Sequence, residues 1–98
     1  MPRYLTIGLL TMKPGHRSVA EQIADQGAQG VAQLPGFESV TFFLDEERSV
    51  YGAVSVWNSL EAAEKADEIL TPQFQQAFGD YIEGSIDSRL YEIYEHKR

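Results

Sequence analysis

The sequence contains no cysteine and few basic residues, and both shortages narrow the possible functions. Without cysteine the chain forms neither disulfides nor a thiolate metal site. Eight Lys and Arg residues against fifteen Asp and Glu leave a formal net charge of −7. Nucleic acids and anionic membrane surfaces attract basic faces, so this balance argues against either as the main partner. The lack of cysteine is compatible with a reducing compartment, and we expect a cytoplasmic protein.

Long apolar runs are missing as well. No stretch of eighteen apolar residues exists, so no transmembrane helix is predicted. The apolar segment Tyr4–Met12 follows Arg3, as the core of a short signal peptide would. However, Thr6 and Gly8 dilute it, and a turn-forming Lys13-Pro14-Gly15-His16 follows in place of a small-residue cleavage site. We interpret Tyr4–Met12 as a first β-strand.

The residues that are present suffice for one packed domain. The chain has 98 residues, of which 43% are apolar and 11% aromatic. This composition predicts a single folded domain over residues 1–98 and not a disordered chain. A chain of this length buries only about 60–65% of its unfolded surface. A partner subunit is therefore one expected source of further stability.

Turn signals divide the chain into four strands and two helical regions. Besides Tyr4–Met12, strands are predicted at residues 37–44, 50–57 and 86–95. The first helix is predicted from Ser18 to about Leu34. Ser18 and Glu21 have the spacing of a capping box, and a start one turn earlier, after Gly15, is the alternative.

The second helical region carries two separate start signals. Asn58 and Glu61 have capping-box spacing, and Thr71-Pro72 is typical of an N-cap followed by proline in the first helical position. We therefore predict that a second helical segment restarts at Thr71. Gly84 is predicted to end it.

The resulting order, β-α-β-β-α-β, predicts an α+β, ferredoxin-like fold with an antiparallel four-stranded sheet and both helices on one face. The first and third strands are apolar on both faces, and such strands are covered on both faces. We expect a second copy of the chain to cover the face that the helices leave open, sheet against sheet about a two-fold axis.

Four short motifs follow one another along the chain. They are Lys13-Pro14-Gly15-His16, Leu34-Pro35-Gly36-Phe37, the run Tyr51–Trp57 with Asn58-Ser59 and Glu61-Ala62 behind it, and Thr71-Pro72-Gln73-Phe74-Gln75-Gln76-Ala77-Phe78. In this order and at these spacings, from about residue 3 to residue 95, the chain resembles the antibiotic biosynthesis monooxygenase domain family of the dimeric α/β-barrel superfamily.

The resemblance implies a homodimer, a dimeric α/β barrel, with a pocket in each subunit between helices and sheet. It also implies an oxidoreductase without cofactor or metal, which oxidises a small phenolic, anthrone-like or quinol-like compound with molecular oxygen. A substrate deprotonated in a dry pocket can itself pass an electron to oxygen. A non-catalytic dimer that binds a small apolar ligand in the same pocket is the alternative, and a purely structural dimer is the third hypothesis.

Five residues are candidates for binding that ligand. Strict alternation puts Tyr51, Ser55 and Trp57 on one face of the third strand. There Trp57 either walls the pocket and orients a substrate oxygen or closes the core. Phe74 and Phe78, four residues apart on the helix, either roof the same pocket or simply pack the helix on the sheet.

No catalytic base is assigned from the sequence. His16 lies in a polar turn with no visible partner, and Arg89 is expected in a solvated or interface ion pair. The acidic residues at 61, 64, 67 and 68 are expected to form a solvated helix face. Polyketide-tailoring members of the family carry a polar amide on the strand of the tryptophan, where this chain offers only Ser55 and Tyr51. Haem-degrading members carry an Asn on the first strand, which is absent here, so haem degradation is not expected.

Overall fold

The protein, described for residues 2–97 by a computed structural model, folds with the predicted order of elements. The elements are β1 (Tyr4–Met12), α1 (Arg17–Ala32), β2 (Phe37–Asp45), β3 (Val50–Trp57), α2 (Leu60–Phe78), a 3₁₀ turn (Gly79–Tyr81) and β4 (Ile82–Glu92). The sheet has the strand order β2-β3-β1-β4, and every neighbouring pair is antiparallel. This arrangement confirms the ferredoxin-like α+β prediction. Of the predicted domain, Met1 and Arg98 lie outside the described residues.

Helix α1 begins at the earlier of the two predicted starts. Its N-cap is His16, and Arg17 is the first helical residue, so Ser18 already lies inside the helix. The His16 carbonyl accepts hydrogen bonds from the backbone N–H groups of Val19 and Ala20. The predicted capping box of Ser18 and Glu21 is therefore wrong. Gly15, with φ of 84°, makes the tight turn that allows this start.

Helix α2 is continuous, and the predicted restart at Thr71 is wrong. Its N-cap is Ser59, whose hydroxyl accepts the Ala62 N–H at 3.1 Å, and not the predicted Asn58. Pro72 lies inside the helix and removes one donor to the Glu68 carbonyl. Glu68 and Pro72 are both exposed, so water has access to this part of the helix, where a carbonyl without an intrahelical partner is tolerated. Among residues 2–97, no helix is long and apolar enough to span a membrane.

Strand β4 begins four residues earlier than predicted, because a bulge interrupts its pairing with β1. The register shifts between Leu9, which pairs with Asp87, and Thr11, which pairs with Glu83. Gly84 lies in this bulge with φ of 75° and does not end a helix. The backbone N–H of Ile86 leaves the ladder there and donates to the Gln75 side chain of α2 at 3.0 Å.

The two faces of the sheet differ in what lies over them. The covered face is the one beneath α1 and α2, and it includes the buried Ser55 and Trp57. Alternation and register extend that face to Tyr4, Thr6, Gly8 and Leu10 on β1 and to Tyr51 and Ala53 on β3. Within residues 2–97, no element covers the open face. This face carries Leu5, Ile7, Leu9, Val54 and Val56.

Two clusters of buried residues hold the helices on the covered face. The first consists of Met12, Ala20, Phe78 and Ile82. The second consists of Val31, Trp57, Ala63 and Ala66. Alanines on α1 and α2 let both helices approach the sheet closely. The two clusters hold α1 and α2 on the sheet. Over the middle of the sheet the side chains do not fill the space beneath the helices.

Candidate functional site

A cavity of about 250 Å³ lies between the helices and the middle of the covered face. Most of its lining is apolar, as is usual for small-molecule sites. Its sheet side includes Thr6, Gly8, Leu10, Val40, Phe42, Leu44, Tyr51, Ala53, Ser55, Trp57, Ile86 and Ser88, and its helix side includes Ala20, Glu21, Ile23, Ala24, Gly27, Val31, Ala66, Asp67, Leu70, Thr71 and Phe74.

The floor of the cavity is formed by unusually small residues. Gly8 and Ala53 face each other across β1 and β3, and Ser88 pairs with Gly8 on the other side. A Cβ atom built on Gly8 would meet no atom within 4 Å. The missing side chain is therefore empty volume within the cavity, and not a close approach of another backbone.

One wall of the cavity carries a short chain of hydrogen bonds that starts at Trp57. The indole, only 1% exposed, donates from Nε1 to the Ser55 hydroxyl at 2.9 Å. The Ser55 and Thr6 hydroxyl oxygens are 2.6 Å apart, and either one can donate. Three donor protons thus serve two bonds within the chain, so one hydroxyl proton of Thr6 or Ser55 is left for another acceptor.

A second polar group is built around Asp67 on α2. The Thr71 hydroxyl, one helical turn later, donates to Asp67 Oδ1 at 2.7 Å. The Ser88 hydroxyl of β4 donates to the same oxygen at 2.6 Å. All three side chains line the cavity and are half-buried. The carboxylate is therefore held in position by hydroxyls from two different elements.

Aromatic side chains close the cavity from above and beside it. Phe74 of α2 and Phe42 of β2 approach each other over Gly27, whose added Cβ would lie 3.5 Å from one ring and 3.7 Å from the other. Phe42 and Leu44 are 39% and 47% exposed although they border the cavity. The cavity therefore reaches solvent beside the edge strand β2.

The structure brings four of the five predicted site residues together. Tyr51, Ser55, Trp57 and Phe74 all line the cavity. Phe78 does not line it: the side chain is 9% exposed, belongs to the cluster of Met12 and stacks on Phe74 with ring centroids 6.1 Å apart. Of the two interpretations open for Phe78, the geometry fits helix-to-sheet packing.

The remaining candidates lie elsewhere. His16 packs edge-on against Tyr81 and borders a separate, polar cavity at the start of α1. Arg89 pairs with Asp87 at 3.3 Å on the open face, where both are exposed, and the pairing raises the pKa of its guanidinium. Within residues 2–97, no group of three or more His, Asp or Glu side chains is placed to hold a metal ion.

Sequence reasoning missed the polar residues that matter most to the cavity, namely Thr6, Asp67 and Ser88. Asp67 was predicted to belong to a solvated acidic face. One signal for it exists: Ala63, Asp67 and Phe74 follow each other at helical spacing, so the carboxylate lies on the buried stripe of α2. Thr6 and Ser88 become visible only through the register of β1 with its two neighbours.

Comparison with known families gives one clear result. The model of the family described as antibiotic biosynthesis monooxygenase matches residues 3–79, which is most of the chain. No curated protein matches the sequence.

Solved structures extend the comparison at the level of the fold. The NE2512 protein of Nitrosomonas europaea, of unknown function, has a TM-score of 0.82 at 10% identity, covering 100% of this chain and 95% of that one. SnoaB from Streptomyces nogalater, a cofactor-independent oxygenase, has a TM-score of 0.77 at 16% identity, covering 98% of this chain and 97% of that one. Rv0793 from Mycobacterium tuberculosis has a TM-score of 0.79 at 10% identity, covering 98% of this chain and 99% of that one. At these identities the likeness establishes a shared fold.

Proposed function

The chain belongs to the antibiotic biosynthesis monooxygenase family, and from this premise we propose that it is a cofactor-independent monooxygenase. Its substrate is a small phenolic or quinol-like compound, and its oxidant is molecular oxygen. The observation that carries the proposal is the cavity of about 250 Å³, apolar over most of its lining, with its polar groups confined to two places. SnoaB, which shares the fold, is itself a cofactor-independent oxygenase.

The chemistry needs little from the protein beyond a suitable pocket. For a phenol, one oxygen atom becomes a carbonyl on a ring carbon that loses its single hydrogen, and the hydroxyl group loses its hydrogen to become the second carbonyl. The other oxygen atom leaves with these two hydrogens as water. The substrate supplies the electrons, and its hydroxyl proton is lost in the process. The protein has to exclude water, hold the ring and take up that proton. An apolar lining with a few fixed hydrogen-bonding groups suits these tasks.

We assign substrate contact to Trp57, Tyr51, Ser55 and Phe74. The Trp57 ring and the Phe74 ring provide flat apolar surface for an aromatic ligand. Because the Trp57 N–H is already bonded to Ser55, Trp57 orients the ligand through the Ser55 hydroxyl and not directly. Phe78 lies outside the lining and supports Phe74 by stacking on it.

The active form is proposed to be a homodimer. The open face presents Leu5, Ile7, Leu9, Val54 and Val56, and no element of the part of the chain that the structure describes covers them. Phe43 adds a 43% exposed ring beside them. A second copy placed sheet against sheet about a two-fold axis would bury this apolar surface on both chains.

Oxygen uptake tests the proposal directly. The purified protein is mixed with hydroquinones, naphthols and anthrones, and oxygen consumption is followed with an electrode. We expect uptake well above the protein-free rate, and Trp57→Ala should reduce turnover or ligand affinity while the dimer persists. Tyr94→Phe, which changes an 80% exposed ring, is the control and should leave the rate unchanged. An equal rate in Trp57→Ala contradicts the site assignment.

The second candidate function is a binding module that holds such a ligand without turning it over. The same cavity supports it, because apolar walls and hydroxyl groups bind aromatic ligands whether or not oxygen reacts. Saturable binding of a quinol without oxygen uptake would favour this function. Uptake that depends on the cavity residues would exclude it.

A further inference from the structure

We propose that Asp67 is the proton acceptor of the cavity and that its Oδ2 atom receives the hydroxyl group of a neutral phenolic ligand. The inference rests on the proposed function to the extent that it takes the ligand to be a phenol. The role is that of a catalytic residue, since the carboxylate touches the reacting hydroxyl. Thr71 and Ser88 are positioning residues, because they act through Asp67.

The hydrogen bonds of Asp67 leave one oxygen available. Both hydroxyl donors reach Oδ1, from Thr71 at 2.7 Å and from Ser88 at 2.6 Å. Within residues 2–97, no hydrogen bond of the protein reaches Oδ2. A carboxylate has about four acceptor positions, of which two are used here. The two hydroxyls fix the rotation of the carboxyl group and leave Oδ2 to accept from a ligand.

No cation neutralises this carboxylate. Among the described residues, no Lys, Arg or His side chain forms an ion pair with Asp67. The other titratable side chains that line the cavity are Glu21 and Tyr51. Glu21 is paired with Arg17 at 3.1 Å, and Tyr51 is a phenol. Asp67 is thus the one unpaired carboxylate among the lining residues, and a hydroxyl donor is the partner that its charge favours.

The Thr6 and Ser55 hydroxyls, on the wall of the cavity opposite Asp67, indicate that the ligand carries a second oxygen atom. One hydroxyl proton of the Thr6 and Ser55 pair is not used within the protein. Thr6 lies two residues from Gly8 on β1, roughly 7 Å along the strand, and Ser88, which holds Asp67, pairs with Gly8. The fitting ligand therefore carries a hydroxyl at one end and an acceptor oxygen at the other, as quinols and hydroxylated aryl ketones do.

The position of Asp67 suits the first step of the oxidation. A neutral phenol gives up an electron poorly, but the proton of the oxidised phenol is strongly acidic. As one electron passes to oxygen, forming superoxide, the phenolic O–H bond breaks and the proton moves to Asp67 Oδ2. A neutral phenoxyl radical remains. The carboxylate thereby acts as the general base that the sequence does not assign.

Binding of 4-nitrophenol measures this role without requiring turnover. Its phenolate absorbs visible light and its neutral form does not, so a titration followed by calorimetry and absorbance separates the two forms. We expect the native protein to bind the neutral form, with affinity falling as pH rises through the ligand's own pKa. In Asp67→Asn the neutral form should bind roughly tenfold more weakly, and the preference for it should disappear, because an amide accepts less well and also donates to a phenolate.

Glu68→Gln is the matched control, since it removes the same charge from the neighbouring, exposed position of α2 and should change neither affinity nor pH profile. Thr71→Val retains the carboxylate and loses one positioning donor, so it should shift the profile in the direction of Asp67→Asn by a smaller factor. If Asp67→Asn fails to fold, as judged by circular dichroism, Thr71→Val carries the test.

The outcomes separate this inference from the proposed function. Asp67-dependent binding without oxygen uptake supports the inference and contradicts the monooxygenase. Oxygen uptake together with an unchanged pH profile in both Asp67→Asn and Thr71→Val overturns the inference and leaves the monooxygenase in place. Failure of the native protein to bind 4-nitrophenol overturns the inference as well.

Discussion

The two faces of the sheet carry opposite kinds of residue in the middle of β1 and β3. On the covered face, beneath both helices, the central positions are Thr6, Gly8 and Ala53, which are small or polar. On the open face the alternating positions are large and apolar, as Ile7 and Val54 show. A sheet that only needed to pack against its own helices would show the reverse, with apolar residues inward and polar residues outward.

Because small or polar residues lie on the covered face and large apolar residues on the open face, we propose a different role for each face. Small residues under the helices leave a space that the protein does not fill with its own side chains, and hydroxyl and carboxylate groups line that space. Large residues on the open face leave apolar surface that water covers unless a partner does. The ligand is thus expected on one face and a second copy of the chain on the other.

The largest effect is expected from a charge on the open face. Ile7→Asp places a carboxylate at the centre of that face, and a two-fold axis brings two such carboxylates into one interface. Arg89, the register partner of Ile7 on β4, is already paired with Asp87, so it is not free to neutralise the added carboxylate. Burial of the two carboxylates costs several kcal/mol, and the dimer should dissociate. Analytical ultracentrifugation measures this. Gln73→Asp, an exposed position on α2, is the control; equal dissociation in both variants, or none in Ile7→Asp, contradicts the assignment of the open face.

Filling the covered face should abolish binding without unfolding the protein. In Gly8→Val the new side chain enters space in which a Cβ meets no atom within 4 Å. Valine is also favoured over glycine in a strand, so stability should rise by about 0.5–1 kcal/mol. Ligand affinity should fall at least roughly tenfold, the equivalent of about 1.4 kcal/mol. Calorimetric titration and chemical denaturation check both halves. Retained affinity would show that the ligand binds elsewhere.

The hydroxyls of the covered face should differ in their structural importance. Ser55→Ala leaves the buried Trp57 N–H without its acceptor and should lower the free energy of unfolding by about 1–3 kcal/mol. Thr6→Val keeps that bond, so its effect on unfolding should be smaller, and the Ser55 hydroxyl then provides the spare donor for the ligand. Denaturant titration of the two variants gives the comparison. Equal destabilisation would mean that the Trp57 bond contributes nothing specific.

The smallest effect is expected at Gly27, which lies beneath the rings of Phe42 and Phe74. A Cβ there would meet both rings at ordinary contact distances of 3.5 and 3.7 Å. Gly27→Ala should therefore stabilise α1 by roughly 1 kcal/mol, because glycine is a poor helix former, and leave ligand binding unchanged. A thermal melt and a binding titration suffice. If Gly27→Ala loses ligand binding, the ligand lies in direct contact with α1 at Gly27, which contradicts this prediction.

The fold was predictable from the sequence because local signals agree with the tertiary structure. The Pro-Gly turns before α1 and β2 occur where predicted, and Gly36 needs to be glycine since a Cβ would lie 2.6 Å from that of Ala62. The errors arose where tertiary context decides. Pro72 was expected to start a helix, but α2 continues through it at a point where Glu68 and Pro72 are both exposed. The bulge at Gly84 moved the start of β4.

The candidate site was predictable only along single elements. Alternation on β3 placed Tyr51, Ser55 and Trp57 on one face, and the structure brings all three to the cavity. Asp67 could not be recognised, since its meaning depends on Ser88, which lies 21 positions further along the chain. The helical spacing of Asp67 predicts that its side chain points toward the sheet. It does not predict that the Ser88 hydroxyl is the group it meets there.

Native mass spectrometry tests the contrast between the two faces most directly, because it reports assembly and bound ligand together. We predict that the native chain with 4-nitrophenol gives dimers that carry up to one ligand per chain. Gly8→Val should give dimers without ligand, heavier than the ligand-free native dimer only by the mass of the two substitutions. A monomer at micromolar concentration would contradict the assignment of the open face, and ligand retained by Gly8→Val would contradict that of the covered face.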